Sequence, residues 1–213
     1  MYKFCFAVWM SLSSCLNIVM ADQPIQPTAV VKSLQDTLID AMKNSKSLGY
    51  QGRYDRLAPV IEQTHDLAYI ARFAIGKKNW DRLDAEQQSR YVDVFSDYSI
   101  ATYAFRFNDY DGEVFQIDSE KPMKRGRVQV LSHLKITGQQ TEVDSIDRAG
   151  MIDFNYVLRE HEGRWVIINI VVQGVSDLAL KRAEYKTLIS EKGFDALMTH
   201  IEDKTRAYTN SVR

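Results

Sequence analysis

The sequence predicts an α+β protein: a curved antiparallel sheet of about four strands packed against N-terminal and C-terminal helices. Three observations carry this. Between Met151 and Ser176 lie two strand-like runs joined by Glu160-His161-Glu162-Gly163. In the first, Ile152, Phe154, Tyr156 and Leu158 fall on one face, and Asp153, Asn155 and Arg159 on the other, the period of two of a half-buried strand. In the second, Trp165 to Val172 is apolar on both faces, so its outer face should be covered too. Helical periodicity dominates the chain before and after this region.

Each element follows from local signals. Val30, Val31, Leu34, Leu38, Ile39 and Met42 form a helical stripe that opens at Thr28, a plausible N-cap, and ends before Gly49. Arg53 to Gln63 is a second, shorter helix. Asp66 can cap a third, carrying Leu67, Ile70, Phe73 and Ala74 and stopping at Gly76. The longest helix begins at Asp84 with Gln87 at the capping-box position, and its buried side should hold Tyr91, Val94, Phe95, Tyr98, Ala101, Thr102 and Phe105. The period then changes to two. Glu113 to Asp118 reads as a strand, Lys121 to Gly126 as a turn, and Arg127 to Ile136 as a strand with Val128, Val130, Leu134 and Ile136 on one face. Thr137 to Gln140 reads as a turn and Thr141 to Ile146 as a short edge strand. After Ser176, Asp177 starts a helix that Gly193 breaks, and Phe194 to Tyr208 forms the last one.

The first 21 residues resemble a secretory signal peptide: Lys3, an apolar run from Phe4 to Ile18, and Val19-Met20-Ala21 before Asp22. Leu12-Ser13-Ser14-Cys15 offers a competing lipoprotein cleavage box, which would leave Cys15 lipidated. The apolar run continuing through Leu16-Asn17-Ile18-Val19 favours cleavage after Ala21. Residues 22–213 then form one α+β domain, exported to the periplasm. Both cysteines, Cys5 and Cys15, lie in the leader, so the mature chain is held by packing alone. Lys and Arg number 27 against 28 acidic residues, and removing Lys3 takes the formal net charge from −1 to −2. That balance supplies no field for nucleic acid.

Catalytic and metal signatures are missing. His65, His133, His161 and His200 are scattered, whereas zinc sites need clustered ligands, and no cofactor motif or nucleophile elbow occurs. Asp109 with Asp111, and Asp144 with Asp147, sit in turn-rich sequence where carboxylates cap or meet water. The cluster Lys121, Lys124, Arg125 and Arg127 reads first as a solvated hairpin tip, and second as a contact for an anionic partner or a lipid phosphate. The aromatic set from Tyr69 to Phe107 reads as core, unless helices and sheet stand apart around a ligand. A sixteen-carbon tail left in water costs roughly 12 kcal/mol at about 0.8 kcal/mol per CH₂, which favours an enclosed cavity for any lipid cargo.

Several motifs carry a resemblance. Tyr54-Asp55-Arg56-Leu57-Ala58-Pro59-Val60-Ile61, His65-Asp66-Leu67, Phe73-Ala74-Ile75-Gly76 with Trp80, Ala101-Thr102-Tyr103-Ala104-Phe105-Arg106-Phe107, Trp165 to Asn169, Gln173-Gly174-Val175-Ser176, Arg182-Ala183-Glu184-Tyr185 and Gly193 to Leu197 occur in an order similar to the MlaC-type family. These are periplasmic lipid carriers, the toluene-tolerance auxiliary components of lipid ABC transporters. The likeness is nearest to their hopanoid-biosynthesis-associated HpnM branch and spans about residues 30 to 205. It implies an NTF2-like outline, no catalytic role and no cofactor. It also implies a phospholipid or hopanoid-like lipid as ligand, exchanged with a membrane lipid-transporter complex.

The pattern of faces then nominates lining positions. Helix-side Phe73, Val94, Tyr98, Thr102 and Phe105 should face sheet-side Val128, Val130, Leu134, Phe154, Tyr156, Ile168 and Ile170. Arg106 and Arg182 are candidates for a headgroup or rim role. The alternative is an α+β enzyme acting on a polycyclic lipid, with Asp153, His133 or Tyr156 as its acid or base.

Overall fold

The sheet is an antiparallel meander of strands β1 (Glu113–Met123), β2 (Arg127–Ile136), β3 (Met151–His161), β4 (Arg164–Val172) and the two-residue β5 (Val175–Ser176), paired in chain order. The computed structural model describes residues 26–136 and 151–210; the leader with its cysteines, the turn at 137–140, the edge strand at 141–146 and the Asp144–Asp147 pair lie outside these residues. Helices α1 (Pro27–Lys43), α2 (Ser45–Thr64), α3 (Leu67–Ile75), α4 (Lys77–Trp80) and α5 (Ala85–Arg106) precede the sheet, and α6 (Asp177–Lys192) and α7 (Phe194–Asn210) follow it. This is the α+β architecture that the alternation of periods predicts.

Local chemistry explains most boundaries. Asp84 accepts from the Gln87 amide while the Gln87 side chain accepts from the Asp84 amide, a closed capping box at the start of α5. Asp66 caps α3, accepting from Tyr69 N at 2.9 Å, and Gly76 ends that helix at φ 77°, a conformation that costs any other residue. Three boundaries differ from expectation. Helix α1 starts at Pro27, whose ring presets φ and whose missing N–H is not needed there. Thr28 therefore does not cap it, and its hydroxyl instead meets the Glu120 carboxylate on β1. Helix α2 begins at Ser45 and is kinked at Gly49 (φ 59°), so the glycine interrupts a longer helical span. Strand β1 runs on through Lys121, Pro122 and Met123, leaving only Lys124, Arg125 and Gly126 as the turn. An edge strand tolerates the proline because one side of it needs no ladder bonds.

Two hydrophobic cores result. The first joins Val31, Leu34, Leu38 and Ala41 of α1 and Leu57 and Ile61 of α2 to Val130, Tyr156, Leu158 and Ile167 on the inner face of the sheet. The second joins Ile70, Ala71 and Ala74 of α3, Leu178 and Tyr185 of α6, and Leu197, Met198 and Ile201 of α7. Helix α5 belongs to both: Ile100 and Ala104 enter the first, Tyr91, Phe95 and Tyr98 the second. Its sequence is accordingly not divided into one apolar and one polar face. Strand β4 is covered on both faces, with Val166, Ile167 and Ile168 all buried, as its continuous apolar run predicts.

The open edge of β4 is closed by the α2–α3 junction. His65 forms a single parallel bridge to Ile167, and Asp66 N donates to Ile167 O at 3.0 Å. The Asp66 carboxylate also accepts from Arg159 on β3 through Nε at 3.0 Å and through Nη2, and that guanidinium lies 4.4 Å from the Tyr69 ring centroid. Asp66 thus serves as helix cap and as sheet anchor at once. Asp66→Ala should lower unfolding free energy by about 3 kcal/mol, and Asp66→Asn, which keeps the cap acceptor, by about half of that. In urea titrations, adding Arg159→Met to Asp66→Ala should cost little more; a fully additive double variant would disprove the coupling.

Candidate functional site

The helical stripe Phe95, Ser99, Thr102, Tyr103 and Arg106 of α5 runs between the two cores, with Phe95 buried in the second and Tyr103 packed against the first. It borders a partly enclosed cavity of about 330 Å³ at the seam between them. Spacings of four, three, one and three residues keep these positions on one side of the helix. Phe107 continues the wall past the end of α5. Across from it stand Phe154 of β3 and Ile167, Ile168, Asn169, Ile170 and Val172 of β4. Leu67 and Ile70 of α3 and Asp177, Leu178 and Lys181 of α6 close the sides, with His65 at the α2–α3 junction.

Strand β4 reaches the cavity with consecutive residues because its register slips. Val157 pairs with Asn169 but Leu158 with Ile167, so Ile168 is an extra residue, a bulge that turns its neighbours toward a common space. Beyond that point only the two residues of β5 cover the edge. The volume falls at the lower end of the range of about 300–1,000 Å³ seen for small-molecule sites.

The polar groups in this wall are mostly satisfied by the protein itself. Ser99 and Thr102 donate to the Phe95 and Tyr98 carbonyls at 2.8 and 2.7 Å, within their own helix. Asn169 Oδ1 accepts from Ser176 Oγ and Leu178 N, tying β4 to the start of α6. Lys181 Nζ holds Asp177 at 2.7 Å. His65 Nδ1 sits 3.2 Å from Ile61 O, which can only accept, so Nδ1 carries the proton and Nε2 accepts from the Tyr103 hydroxyl at 3.0 Å. Burial pushes His65 down to about 4 and raises the Tyr103 phenol well above its ordinary value, so both are neutral across the physiological range. The space is therefore lined largely by carbon, with its hydroxyl, amide and imidazole groups bonded within the protein and its charges limited to the Asp177–Lys181 pair and Arg106.

The sequence matches the MlaC protein family over residues 32–203. The chain belongs to the MlaC family. Its fold is similar to that of a phospholipid-binding protein from Ralstonia solanacearum, a structure in complex with a phospholipid, with a TM-score of 0.72. That likeness covers 87% of this chain and 99% of the other at 16% identity, which is similarity of fold.

Of the nominated lining residues, this MlaC-family chain brings Thr102, Phe154, Ile168 and Ile170 together around the cavity, with Arg106 at its exposed rim. The others are placed elsewhere. Tyr98 and Phe105 stack on Tyr208 of α7, at 6.0 and 4.4 Å between ring centroids, and Val94 packs against the second core. Phe73 lies 40% exposed between Tyr69 and Arg182. Arg182 donates to Phe73 O at 2.7 Å and packs on Gly76, so it fastens the end of α3. Val130 and Tyr156 are fully buried in the first core, Leu134 is buried nearby on β2, and Val128 is half-buried opposite Leu158. Of the acid–base candidates, Asp153 and His133 are cross-strand partners on the outer face, and the Tyr156 hydroxyl accepts from buried Gln35 at 3.4 Å. None of the three lines the cavity.

His65, Ser99, Tyr103 and Lys181 line the space without having been nominated. A signal for one of them exists: Ser99, like the nominated Thr102, is a small hydroxylated residue mid-helix between aromatic ones, and leaves room where a closed core would want leucine. His65 also makes the cavity wall pH-sensitive. Its folded value lies below that of the unfolded chain, so the unfolded state binds the extra proton between about pH 6.5 and 4. Stability is then full above that window and falls as pH drops through it, by up to about 1.4 kcal/mol per pH unit from this group. Urea titrations at several pH values should show His65→Gln with a shallower decline; an unchanged slope would contradict the assignment.

Proposed function

We propose that this MlaC-family chain is a periplasmic carrier that shelters a phospholipid or hopanoid-like lipid in the seam cavity and exchanges it with a membrane ABC-type lipid transporter. The observation that carries the reading is the wall itself: an apolar space between two packed cores, whose hydroxyl, amide and imidazole groups are satisfied by protein partners. Such a wall offers hydrocarbon mostly carbon contacts, with few polar groups to desolvate, and offers water few partners. Family membership and the fold shared with a protein whose structure contains a phospholipid support the same ligand class.

Location in the periplasm rests on the leader-like first 21 residues and on the family. Among the described residues no helix is long and apolar enough to cross a membrane. A carrier role, as against lipid chemistry, is supported by the nominated acid–base groups lying away from the cavity and by the neutrality of the His65–Tyr103 pair within it. The hopanoid-like ligand and the transporter partner rest on the HpnM-like motifs.

Acyl chains would enter between α5 and β4, where Ser99 and Thr102 leave the space. Gently purified protein should release bound lipid in native mass spectrometry and solvent extraction. Ser99→Trp and Thr102→Trp place an indole in that space, and each should remove most of the bound lipid while the thermal midpoint stays within a few degrees of the parent. Full lipid occupancy in both folded variants would overturn the assignment of the site.

A further inference from the structure

One face of α3 lines the cavity with Leu67 and Ile70, and the opposite face carries a row of rings and guanidiniums. Arg127 of β2 donates to the Tyr69 hydroxyl at 3.1 Å, and the Tyr69 ring stacks on Phe73 at 6.1 Å between centroids. The Arg182 guanidinium lies 4.7 Å from the centre of the Phe73 ring, and that of Arg72 lies 5.7 Å from the Trp80 ring. Phe73 is 40% exposed in the middle of this row, with Tyr69 and Trp80 half-buried beside it. Lys124 and Arg125, exposed in the β1–β2 turn, extend the row past Arg127, and Lys78 of α4 stands exposed at its other end.

The chain as a whole is close to neutral, with 27 basic and 28 acidic residues, so this concentration of charge is local. Among the described residues, Arg72, Lys78, Lys124, Arg125, Arg127 and Arg182 are in no ion pair, whereas Arg159 and Lys77 nearby are neutralised by Asp66 and Asp81. The adjoining β3–β4 turn adds no positive charge, since Glu160 and Glu162 outweigh Arg164. Solvent accommodates a single cation or a single exposed ring. Their segregation together onto one face of a neutral chain calls for a partner with negative charge and an apolar layer behind it. We propose that the outer face of α3, with the β1–β2 turn, docks on a bilayer containing anionic lipid. Phe73 enters the headgroup layer, and the cations around it meet the lipid phosphates. An acidic protein would have to set its carboxylates in register with the guanidiniums; a membrane offers charge without register and takes aromatic rings at its interface. Docking goes beyond the carriage of cargo and does not depend on it. It would nonetheless place Leu67 and Ile70, and with them the cavity wall, one helix away from the membrane.

Co-sedimentation with vesicles tests this. The protein should pellet with vesicles of equal parts dioleoylphosphatidylglycerol and dioleoylphosphatidylcholine. It should not pellet with dioleoylphosphatidylcholine alone, and raised sodium chloride should release it. Joint replacement of Lys124→Gln and Arg125→Gln should weaken binding about 25-fold, at roughly fivefold for each cation near the surface. Phe73→Ser should weaken it about fivefold through the lost apolar contact. Lys46→Gln, which removes an exposed charge at the start of α2, should bind as the parent does. So should Thr102→Trp, in which the cavity is obstructed, so docking is read apart from cargo and its failure leaves the carrier reading standing. No pelleting with the mixed vesicles, or equal pelleting of the parent and both patch variants, would overturn the proposal. Retention of the parent on immobilised polyglutamate without pelleting would overturn it in favour of an acidic protein partner.

Discussion

Helix α5 must pack against two cores that lie on different sides of it, and this requirement governs the molecule. Ile100 and Ala104 are drawn toward α1, α2 and the sheet, whereas Tyr91, Phe95 and Tyr98 are drawn toward α3, α6 and α7. A single helix of about 10–12 Å diameter cannot bring both groups together everywhere along its length. The positions between them, Ser99, Thr102, Tyr103 and Arg106, are left bordering a space that neither core fills. Tyr208 reinforces the separation: it holds Tyr98 and Phe105 against α7 and so keeps the largest rings of α5 out of the seam.

Keeping a vacancy inside a protein is unfavourable, because its walls lose dispersion contacts that a packed interior would supply. Three features keep this one open. The bulge at Ile168 brings consecutive residues of β4 to the space. The α2–α3 junction clamps the β4 edge through Asp66, Arg159 and the His65 bridge. The hydroxyls of Ser99 and Thr102 are folded back onto their own helix, so the wall does not recruit water strongly. Each feature couples a local bond to the shape of the site, which is how a chain without cysteines in its described residues holds a defined cavity by packing and hydrogen bonds.

Much of the fold was legible in the sequence because it depends on local chemistry. The Asp84–Gln87 box, the Asp66 cap, the breaks at Gly76 and Gly193 and the period of two in β2 and β3 need only their neighbours to be read. The cavity depends on tertiary arrangement, and periodicity does not report that. Thr102 and Arg106 were nominated from their phase, but Ser99 looks like a solvated position until the sheet is set opposite it. Counting alternate residues misses a bulge, so the joint presence of Ile167, Ile168 and Asn169 in one wall was invisible. Tyr98 and Phe105 were nominated as lining for being aromatic and in phase, yet the partner that claims them, Tyr208, lies a hundred residues away in sequence. His65 read only as one of four scattered histidines because its partner Tyr103 is likewise distant in the chain.

The central claim is that hydrocarbon occupies the seam between α5 and β4. A crystal structure of the protein isolated with its native lipid tests this most directly. The account predicts continuous tail density against Thr102, Phe154, Ile168 and Ile170, with α5 displaced little and both cores intact. Side chains closing the seam, or lipid density elsewhere on the protein, would contradict it.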